Sequence, residues 1–298
     1  MLRIIKLCLF LKEYGKKRDY PLVVNYDITP NCNLNCEHCY WKKTDNLKKE
    51  ISDKGWEKIF LLQRKKGTNC VFLTGGEPAL RINVIRIADR IFRTVSVVSN
   101  GTIKIPEDIQ RRIFISIDGP EHLHNKIRGA KVYKKIIKNI QDDKRVVITP
   151  TLSRTNYRHI KELVDIARNS NVDGITFSTY ASHCPERDPL LLKGDELDWT
   201  INELKKVLKK NKDIVWLSPS IIKLLKTKNH YKRCFMRNKR NIFSFDSNMN
   251  IKEPCTLGKG VNCRTCGCIV PASAYAMFHG DLKSWIIFGK FYPKKYSK

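Results

Sequence analysis

The sequence has 298 residues, and 42% of them are hydrophobic, so the chain can bury a sizeable core and is not globally disordered. Its 57 Lys and Arg residues against 29 Asp and Glu give a formal net charge of +28. Because the basic residues are spread along the chain, we interpret the charge as a Lys-rich surface; a nucleic acid, an anionic membrane or an acidic substrate is the alternative.

The N-terminal run Met1–Lys12 is apolar, with Arg3 and Lys6, and is too short to cross a bilayer. We predict a helix over residues 1–20 that packs on the domain, with peripheral contact at a membrane surface as the alternative. No transmembrane span is expected elsewhere. The chain has 11 cysteines without a secretory signature, which indicates metal or redox sites in a cytoplasmic protein.

Residues 21–210 alternate between short β-branched or apolar runs and helix-like patterns. Near-continuous apolarity of the runs favours a parallel sheet covered on both faces, and six βα units predict an α/β fold, a partial (β/α)6 TIM-like barrel. Asp53 is predicted to cap the first helix. The predicted strands are Val23–Thr29, Cys70–Thr74, Thr94–Ser99, Ile113–Ile117, Val146–Leu152 and Gly174–Thr179. The predicted helices follow Asp53 and cover Val84–Phe92, Val132–Ile140, Tyr157–Ala167 and Glu196–Lys209.

A cysteine triad, Cys32-Asn-Leu-Asn-Cys36-Glu-His-Cys39, follows the first predicted strand. Three thiolates can ligate three corners of an iron–sulfur cubane and leave one iron for an external chelator. A structural zinc site is one alternative, but zinc normally takes four protein ligands and His38 is poorly spaced to be the fourth. Buried free cysteines are the other alternative, and they would not require this spacing.

The ends of the following strands carry glycines and polar residues, where an α/β barrel places its chemistry. Gly75 and Gly76 allow a ligand to approach the backbone closely, and Pro78 can begin the next helix; an ordinary turn is the alternative. Other polar residues at strand ends or shortly after them are Glu77, Ser99, Asn100, Ser116, Asp118, Arg128, Thr149 and Thr151.

The triad, with His38 in the aromatic position before its last cysteine, and the run Gly75–Pro78 resemble the radical S-adenosylmethionine (SAM) superfamily over roughly residues 20–180. The resemblance implies an oxygen-sensitive enzyme whose [4Fe–4S] cluster is bound by Cys32, Cys36 and Cys39. It implies reductive cleavage of SAM to a 5′-deoxyadenosyl radical, with electrons from a donor such as ferredoxin or flavodoxin. It also implies that Arg128 pairs with the SAM carboxylate and that Thr149 and Thr151 lie near adenine. The SAM-binding residues that it implies are His38, Gly75, Gly76, Glu77, Ser99, Asn100, Ser116, Asp118 and Arg128.

Residues 211–298 depart from the alternating pattern, and we predict a small cysteine-rich appendage there. A Cys-x-x-Cys pair with two distant cysteines suits a four-thiolate site for zinc or iron–sulfur. The family resemblance, here to twitch or SPASM-like tails, implies one auxiliary [4Fe–4S] cluster, with zinc or unliganded thiols as alternatives. The candidate ligands are Cys234, Cys255, Cys263 and either Cys266 or Cys268.

Three further segments, Tyr20–Val24, Val172–Thr176 and Pro254–Gly258, resemble hopanoid-biosynthesis enzymes of the adenosylhopane synthase type. This resemblance implies an isoprenoid or lipid substrate, whereas the cysteine-rich tail favours a peptide or protein and the net charge favours RNA. A non-catalytic zinc-binding and nucleic-acid-binding protein is the alternative of another class. It would have no need of the run Gly75–Pro78.

Overall fold

The structure is a computed structural model of the chain and describes residues 21, 23–41, 50–237 and 242–291. The predicted N-terminal helix over residues 1–20 lies outside the described residues. Within those ranges, no helix is both long enough and apolar enough to span a membrane.

The centre of the fold is a sheet of seven parallel strands. The described residues form nine strands, seven of which belong to this sheet: β1 (Val23–Asp27), β2 (Cys70–Thr74), β3 (Thr94–Ser99), β4 (Arg112–Ile115), β5 (Val146–Ile148), β6 (Thr151–Leu152), β7 (Gly174–Ile175), β8 (Ser178–Thr179) and β9 (Ile242–Phe245). Their order in the sheet is β7-β5-β4-β3-β2-β1-β9, and β6 pairs with β8 separately. The prediction of a parallel α/β fold of partial-barrel type is confirmed. The fifth predicted strand is broken into β5 and β6 at Pro150, whose nitrogen cannot donate to a ladder.

The α-helices of the described residues are α1 (Asp53–Lys65), α2 (Ile82–Ile91), α3 (Glu121–Arg128), α4 (Tyr133–Ile140), α5 (Ile160–Asn169), α6 (Gly194–Lys210), α7 (Pro219–Thr227), α8 (Ile269–Phe278) and α9 (Leu282–Phe291). The five that we predicted, α1, α2, α4, α5 and α6, begin and end close to the predicted positions, whereas we did not predict the other four. The cap of α1 is Ser52 and not Asp53, because the Ser52 hydroxyl accepts a hydrogen bond from the Gly55 N–H at 3.1 Å. Asp53 is instead the first helical residue, where its negative charge stabilises the N-terminus of the helix.

The C-terminal region is joined to the strands at three places, the first of which is the bridge between Val215 and Ile175 of β7. Strand β9 pairs with β1 in parallel, with Val23 opposite Ile242. Gly267 pairs with the end of β8, where its carbonyl accepts a hydrogen bond from the Thr179 N–H at 2.9 Å. Residues on either side of the predicted boundary at 210/211 therefore share one sheet, and that boundary stays a prediction.

Helix α8 is apolar on all sides and mostly buried, as expected of a helix inside a packed domain. It packs between α7 and α9. Its central residues Ala272, Ser273, Ala274 and Ala276 have small side chains and are at most 3% exposed. The helix therefore approaches its neighbours closely without large side chains of its own at these positions.

Helix α3 is anchored by a buried histidine. His124 is 0% exposed, and its Nδ1 accepts a hydrogen bond from the backbone N–H of Asp118 at 3.2 Å. The ring also lies edge-on to Tyr133, with ring centroids 5.6 Å apart. Burial, assisted by the charge of Arg128, lowers the pKa of His124 to about 4. His124 is therefore neutral in the folded protein at neutral pH.

The substitution Gly267→Ala should weaken the junction between the C-terminal region and the barrel. A Cβ at residue 267 would lie 1.7 Å from Thr179 Oγ1 and 2.5 Å from the Thr179 carbonyl oxygen. We expect the free energy of unfolding in urea to fall by about 1–3 kcal/mol. Gly289→Ala in α9 is the matched control, because a Cβ there meets nothing within 4 Å. Equal stabilities of the two variants would contradict the close contact at Gly267.

The buried His124 predicts acid sensitivity. Its folded pKa of about 4 lies below the ordinary value of about 6.5. As pH falls below about 6.5 the unfolded chain takes up a proton that the folded chain excludes until about pH 4, so stability declines through this window. Between pH 7 and 4.5, His124→Gln should lose less unfolding free energy than the wild type, by on the order of 1–3 kcal/mol. His122 is exposed, so His122→Gln should show the same dependence of unfolding free energy on pH as the wild type. If the unfolding free energy of all three proteins falls equally with pH, His124 is not the cause of the acid sensitivity.

Candidate active site

The loop that carries the cysteine triad lies directly against the loop after β2. The Gly76 N–H donates to the Thr29 carbonyl at 2.9 Å, and the Glu77 N–H donates to the Asn31 carbonyl at 2.8 Å. Gly75 has a φ of +125°, which favours glycine, and a Cβ at Gly76 would lie 2.0 Å from the Asn31 carbonyl oxygen. The glycines let the backbone that leads into Cys32 approach closely, and the ligand contact that we predict for them stays a prediction.

The Glu77 carboxylate, which is 1% exposed, joins the ends of β2 and β3. Its Oε1 accepts hydrogen bonds from the Ala79 N–H at 2.8 Å and the Ser99 hydroxyl at 2.7 Å, and its Oε2 accepts from the Asn100 N–H at 2.7 Å. The Asn100 amide in turn donates to the side-chain oxygen of Asn33 at 2.8 Å. The segment between Cys32 and Cys36 is thereby attached to the third strand.

Asp118 and Arg128 form a buried ion pair beside the triad. Arg128 Nη2 lies 2.5 Å from Asp118 Oδ2, and Arg128 Nη1 donates to the Cys36 sulfur at 3.7 Å. Asp118 Oδ1 accepts from the Thr151 N–H at 3.1 Å, and His38 Nε2 lies 3.9 Å from Asp118 Oδ2. Burial raises the pKa of Asp118, but the Arg128 charge, together with weaker neighbouring charges and the Thr151 N–H, outweighs burial and holds the pKa below its usual value. The pair is therefore ionised at neutral pH.

Helix α3 supports the triad loop from the other side. The Glu37 N–H donates to the Ile127 carbonyl at 2.9 Å. Gly129 ends the helix with a φ of +70°, and a Cβ there would lie 2.8 Å from the Asn35 carbonyl oxygen. We did not predict α3; the available signal was Gly129, a typical helix terminator, directly after Arg128.

One cavity of about 330 Å³ lies at the carboxyl ends of the strands and continues inward toward α8. Asp118 does not line it, although we expected it to. Because its carboxylate is fully buried behind the wall, it positions Arg128 from there. The other predicted residues line the cavity together: Cys32, Cys36, His38, Cys39, Gly75, Gly76, Glu77, Ser99, Asn100, Ser116, Arg128, Thr149 and Thr151. Lining residues that sequence reasoning missed include Asn25, Tyr40, Trp41, Phe72 and Phe114.

The cysteines of the C-terminal region line a second, small cavity of about 20 Å³. Burial raises the pKa of Cys255 to about 12 and that of Cys266 to about 11. These thiols therefore ionise only with a compensating positive charge, such as that of a bound metal. Cys268 lines both cavities, so the two cysteine groups are neighbours. The cysteines around the small cavity are Cys234, Cys255, Cys263, Cys266 and Cys268.

A second buried ion pair ties the C-terminal region to the triad loop. Lys252 Nζ lies 2.5 Å from Asp27 Oδ2 at the end of β1. The same ammonium lies over the rings of Tyr40 and Trp41, 5.2 and 5.0 Å from their centroids. Lys252 therefore fixes the residues that directly follow Cys39.

The donor set of the triad suits an iron–sulfur cluster. Its three thiols lie on one loop, face one cavity and have the Arg128 guanidinium beside Cys36, where it favours a thiolate. Among the residues that the structure describes, no three His, Cys, Asp or Glu side chains are close enough to hold a metal ion as they are placed. The cavities that the thiols line indicate which cysteines would share one cluster.

Comparison with known sequences agrees with this geometry. Residues 26–167 match the family model of the Radical SAM superfamily. The sporulation killing factor maturation protein SkfB of Bacillus subtilis is 26% identical over 165 residues, which cover 50% of this chain and 40% of SkfB. The AdoMet-dependent heme synthase of Methanosarcina barkeri is 28% identical over 166 residues, 50% of this chain and 47% of that protein. The chain thus spans less than half the length of these two relatives.

Solved structures show the same fold. Streptococcus suis SuiB, solved with S-adenosylmethionine, superposes with a TM-score of 0.64 at 18% identity, covering 94% of this chain and 69% of SuiB. The enzyme anSMEcpe with bound AdoMet superposes with a TM-score of 0.60 at 15% identity, covering 92% of this chain and 85% of that one. The chain carries a radical SAM domain over residues 26–167.

Proposed function

We propose that this chain is a radical SAM enzyme that cleaves SAM reductively and directs the resulting radical to a substrate in the same cavity. The observation that carries the proposal is that Cys32, Cys36 and Cys39 line one cavity with the polar residues of the strand ends. A [4Fe–4S] cluster bound by these cysteines would supply the single electron that splits SAM into methionine and a 5′-deoxyadenosyl radical.

The residues around the triad would hold and orient SAM. Arg128 presents a guanidinium at the cavity wall, and Asp118 fixes its direction from behind, so Arg128 is suited to bind the SAM carboxylate. The hydroxyls of Ser116, Thr149 and Thr151 line the wall where the ribose and adenine would lie. The remaining SAM contacts would come from His38, Gly75, Gly76, Glu77, Ser99 and Asn100, which line the same cavity.

The C-terminal cysteines would hold one auxiliary [4Fe–4S] cluster, with zinc as the alternative. Five cysteines line one small cavity, which is one more than a four-thiolate site needs. A lysine lies near this set, because Lys228 Nζ donates to Thr179 Oγ1 at 2.8 Å and the Thr179 N–H is bonded to the Gly267 carbonyl, between Cys266 and Cys268. A positive charge there would favour thiolates.

The substrate class that the cavity supports best is an isoprenoid or other lipid, because much of the wall away from the triad is hydrocarbon. A peptide is the second candidate, since SuiB has been solved bound to its precursor peptide SuiA. We further propose electron transfer from a ferredoxin or flavodoxin and a cytoplasmic setting that protects the clusters from oxygen.

Replacing Cys32, Cys36 and Cys39 together by Ala should abolish SAM cleavage, because no thiolate would remain to hold the catalytic cluster. The measurement is 5′-deoxyadenosine formed by the reconstituted protein with dithionite and SAM, without added substrate. We expect a fall to the protein-free background. Cys184→Ala, an exposed cysteine outside both cavities, is the control and should keep the wild-type rate. Wild-type product from the triple variant would refute the proposed function.

Metal analysis of the same triple variant tests the auxiliary site. We expect about four irons per chain to remain, as one cubane requires. One zinc per chain would instead establish the structural alternative, and the absence of both metals would refute a metal site. In that background, Cys266→Ala and Cys268→Ala should differ: loss of the ligand should abolish the residual metal, while loss of its neighbour should not. Cys184→Ala again serves as the control.

A further inference from the structure

The inner part of the main cavity is lined mostly by hydrocarbon, with the polar side chains of Asn25, Thr176, Ser178 and Thr256 among the lining residues. Its walls come from the strands on one side and from α8 on the other, and Cys268 lies directly before α8. Burial in such surroundings favours apolar groups in proportion to the apolar area removed from water. The apolar residues along these walls are Val23, Phe72, Val98, Phe114, Met236, Ile242, Leu257, Ile269, Val270, Ala274, Met277 and Phe278.

The charged side chains of the cavity are confined to the end that holds the triad. Of the described residues along the wall, Glu77 is the one with a carboxyl group and Arg128 the one with a guanidinium, with His38 near them. Glu77 already accepts from three donors, and Arg128 is paired with Asp118. An ion placed beside α8 would find no counter-charge from these residues, and an unpaired buried charge is strongly unfavourable. The inner part of the cavity therefore selects neutral groups.

One hydroxyl on the α8 wall has no hydrogen-bond partner within the described part of the chain. Ser273 is 1% exposed and lines the cavity, but its Oγ has no acceptor or donor there. By contrast, Ser178 Oγ accepts from the Ile269 N–H, and Thr176 Oγ1 donates to the Trp216 carbonyl. A buried hydroxyl without a partner is unfavourable, and a polar atom of a ligand would supply the missing hydrogen bond.

We propose that the space between the strands and α8 binds an uncharged, mainly hydrocarbon group of a small-molecule substrate, and that Ser273 orients this group by one hydrogen bond. The inference rests on the proposed function and deepens it by naming where the apolar group of the substrate binds and which residue orients it. The small side chain of Ala274 leaves room for the group, and the hydrocarbon walls reject charged analogues. Ser273 is a specificity-determining residue in this arrangement, because it recognises one oxygen in otherwise apolar surroundings.

Three probes with the same branched ten-carbon skeleton test the charge selection: geraniol, geranylamine and geranic acid. Their binding to the cluster-loaded protein is measured by equilibrium dialysis under anaerobic conditions with SAM present. We expect geraniol to bind at least ~10-fold more tightly than either charged analogue, since each ion must be desolvated without a counter-charge. Equal or tighter binding of an analogue, or displacement of geraniol by a polar peptide but not by a neutral hydrocarbon, would overturn the proposal.

Two variants test the position of the site. Ala274→Phe should reduce geraniol binding by ~10-fold or more by filling the cavity. Ser273→Ala introduces no clash, so it keeps the proposal testable if the bulky variant misfolds. It should weaken the binding of geraniol by ~5–10-fold but leave the binding of myrcene, which lacks the hydroxyl, unchanged. Ser96→Ala is the matched control, because it removes a buried hydroxyl of β3 outside the cavity. Equal losses for geraniol and myrcene, or no loss, would exclude Ser273 as the hydrogen-bond donor or acceptor.

Formation of 5′-deoxyadenosine by the wild type without added substrate separates the two proposals. If SAM is cleaved but geraniol binds no better than its charged analogues, the substrate inference fails and the proposed function stands. If geraniol binds selectively but no SAM is cleaved, the proposed function fails and the apolar binding site stands.

Discussion

A carboxylate that is fully removed from water must be neutralised by the protein, and the surroundings of Asp118 are organised around that requirement. Its oxygens take the Arg128 guanidinium and the Thr151 N–H, so the end of β4, the start of β6 and the end of α3 converge on one residue. The Arg128 guanidinium that is held by Asp118 also donates a hydrogen bond to the Cys36 sulfur. Removing one partner of a buried ion pair costs about 3–5 kcal/mol, because the other charge is left buried without compensation. The orientation of the triad loop is therefore strongly constrained.

Two further buried carboxylates, Glu77 and Asp27, act at the same edge of the sheet. Glu77 holds the end of β3 to the turn after β2, and Asp27 holds Lys252 of the C-terminal region over the aromatic residues that follow the triad. Each of the three carboxylates takes donors from a neighbouring element. Groups fixed in advance in this way lose little freedom when a ligand binds, which is how a site achieves orientation without induced rearrangement.

The parallel strands and the residues at their ends could be predicted from the sequence because buried parallel strands are continuous apolar runs and polar residues follow them directly. The break at Pro150 was missed, although a proline inside a predicted strand is its local signal. Helix α3 was missed because Glu121–Arg128 is short and mostly polar. Ser52 was not predicted as the cap of α1 because Asp53, the next residue, is also a common capping residue. The positions of β9, α8 and the Asp118 carboxylate depend on contacts between distant parts of the chain, which no local pattern encodes.

The pairing of β9 with β1 joins one of the last elements of the chain to the first described strand, with Ile242 opposite Val23. During synthesis the chain emerges from its N-terminus, so the outer edge of β1 stays unpaired until residues well beyond 200 have left the ribosome. Until then, an open strand edge lies next to the loop that bears the thiols, and such edges attract other chains. The late pairing of β9 with β1 is therefore the step that closes this edge and protects the loop from such contacts.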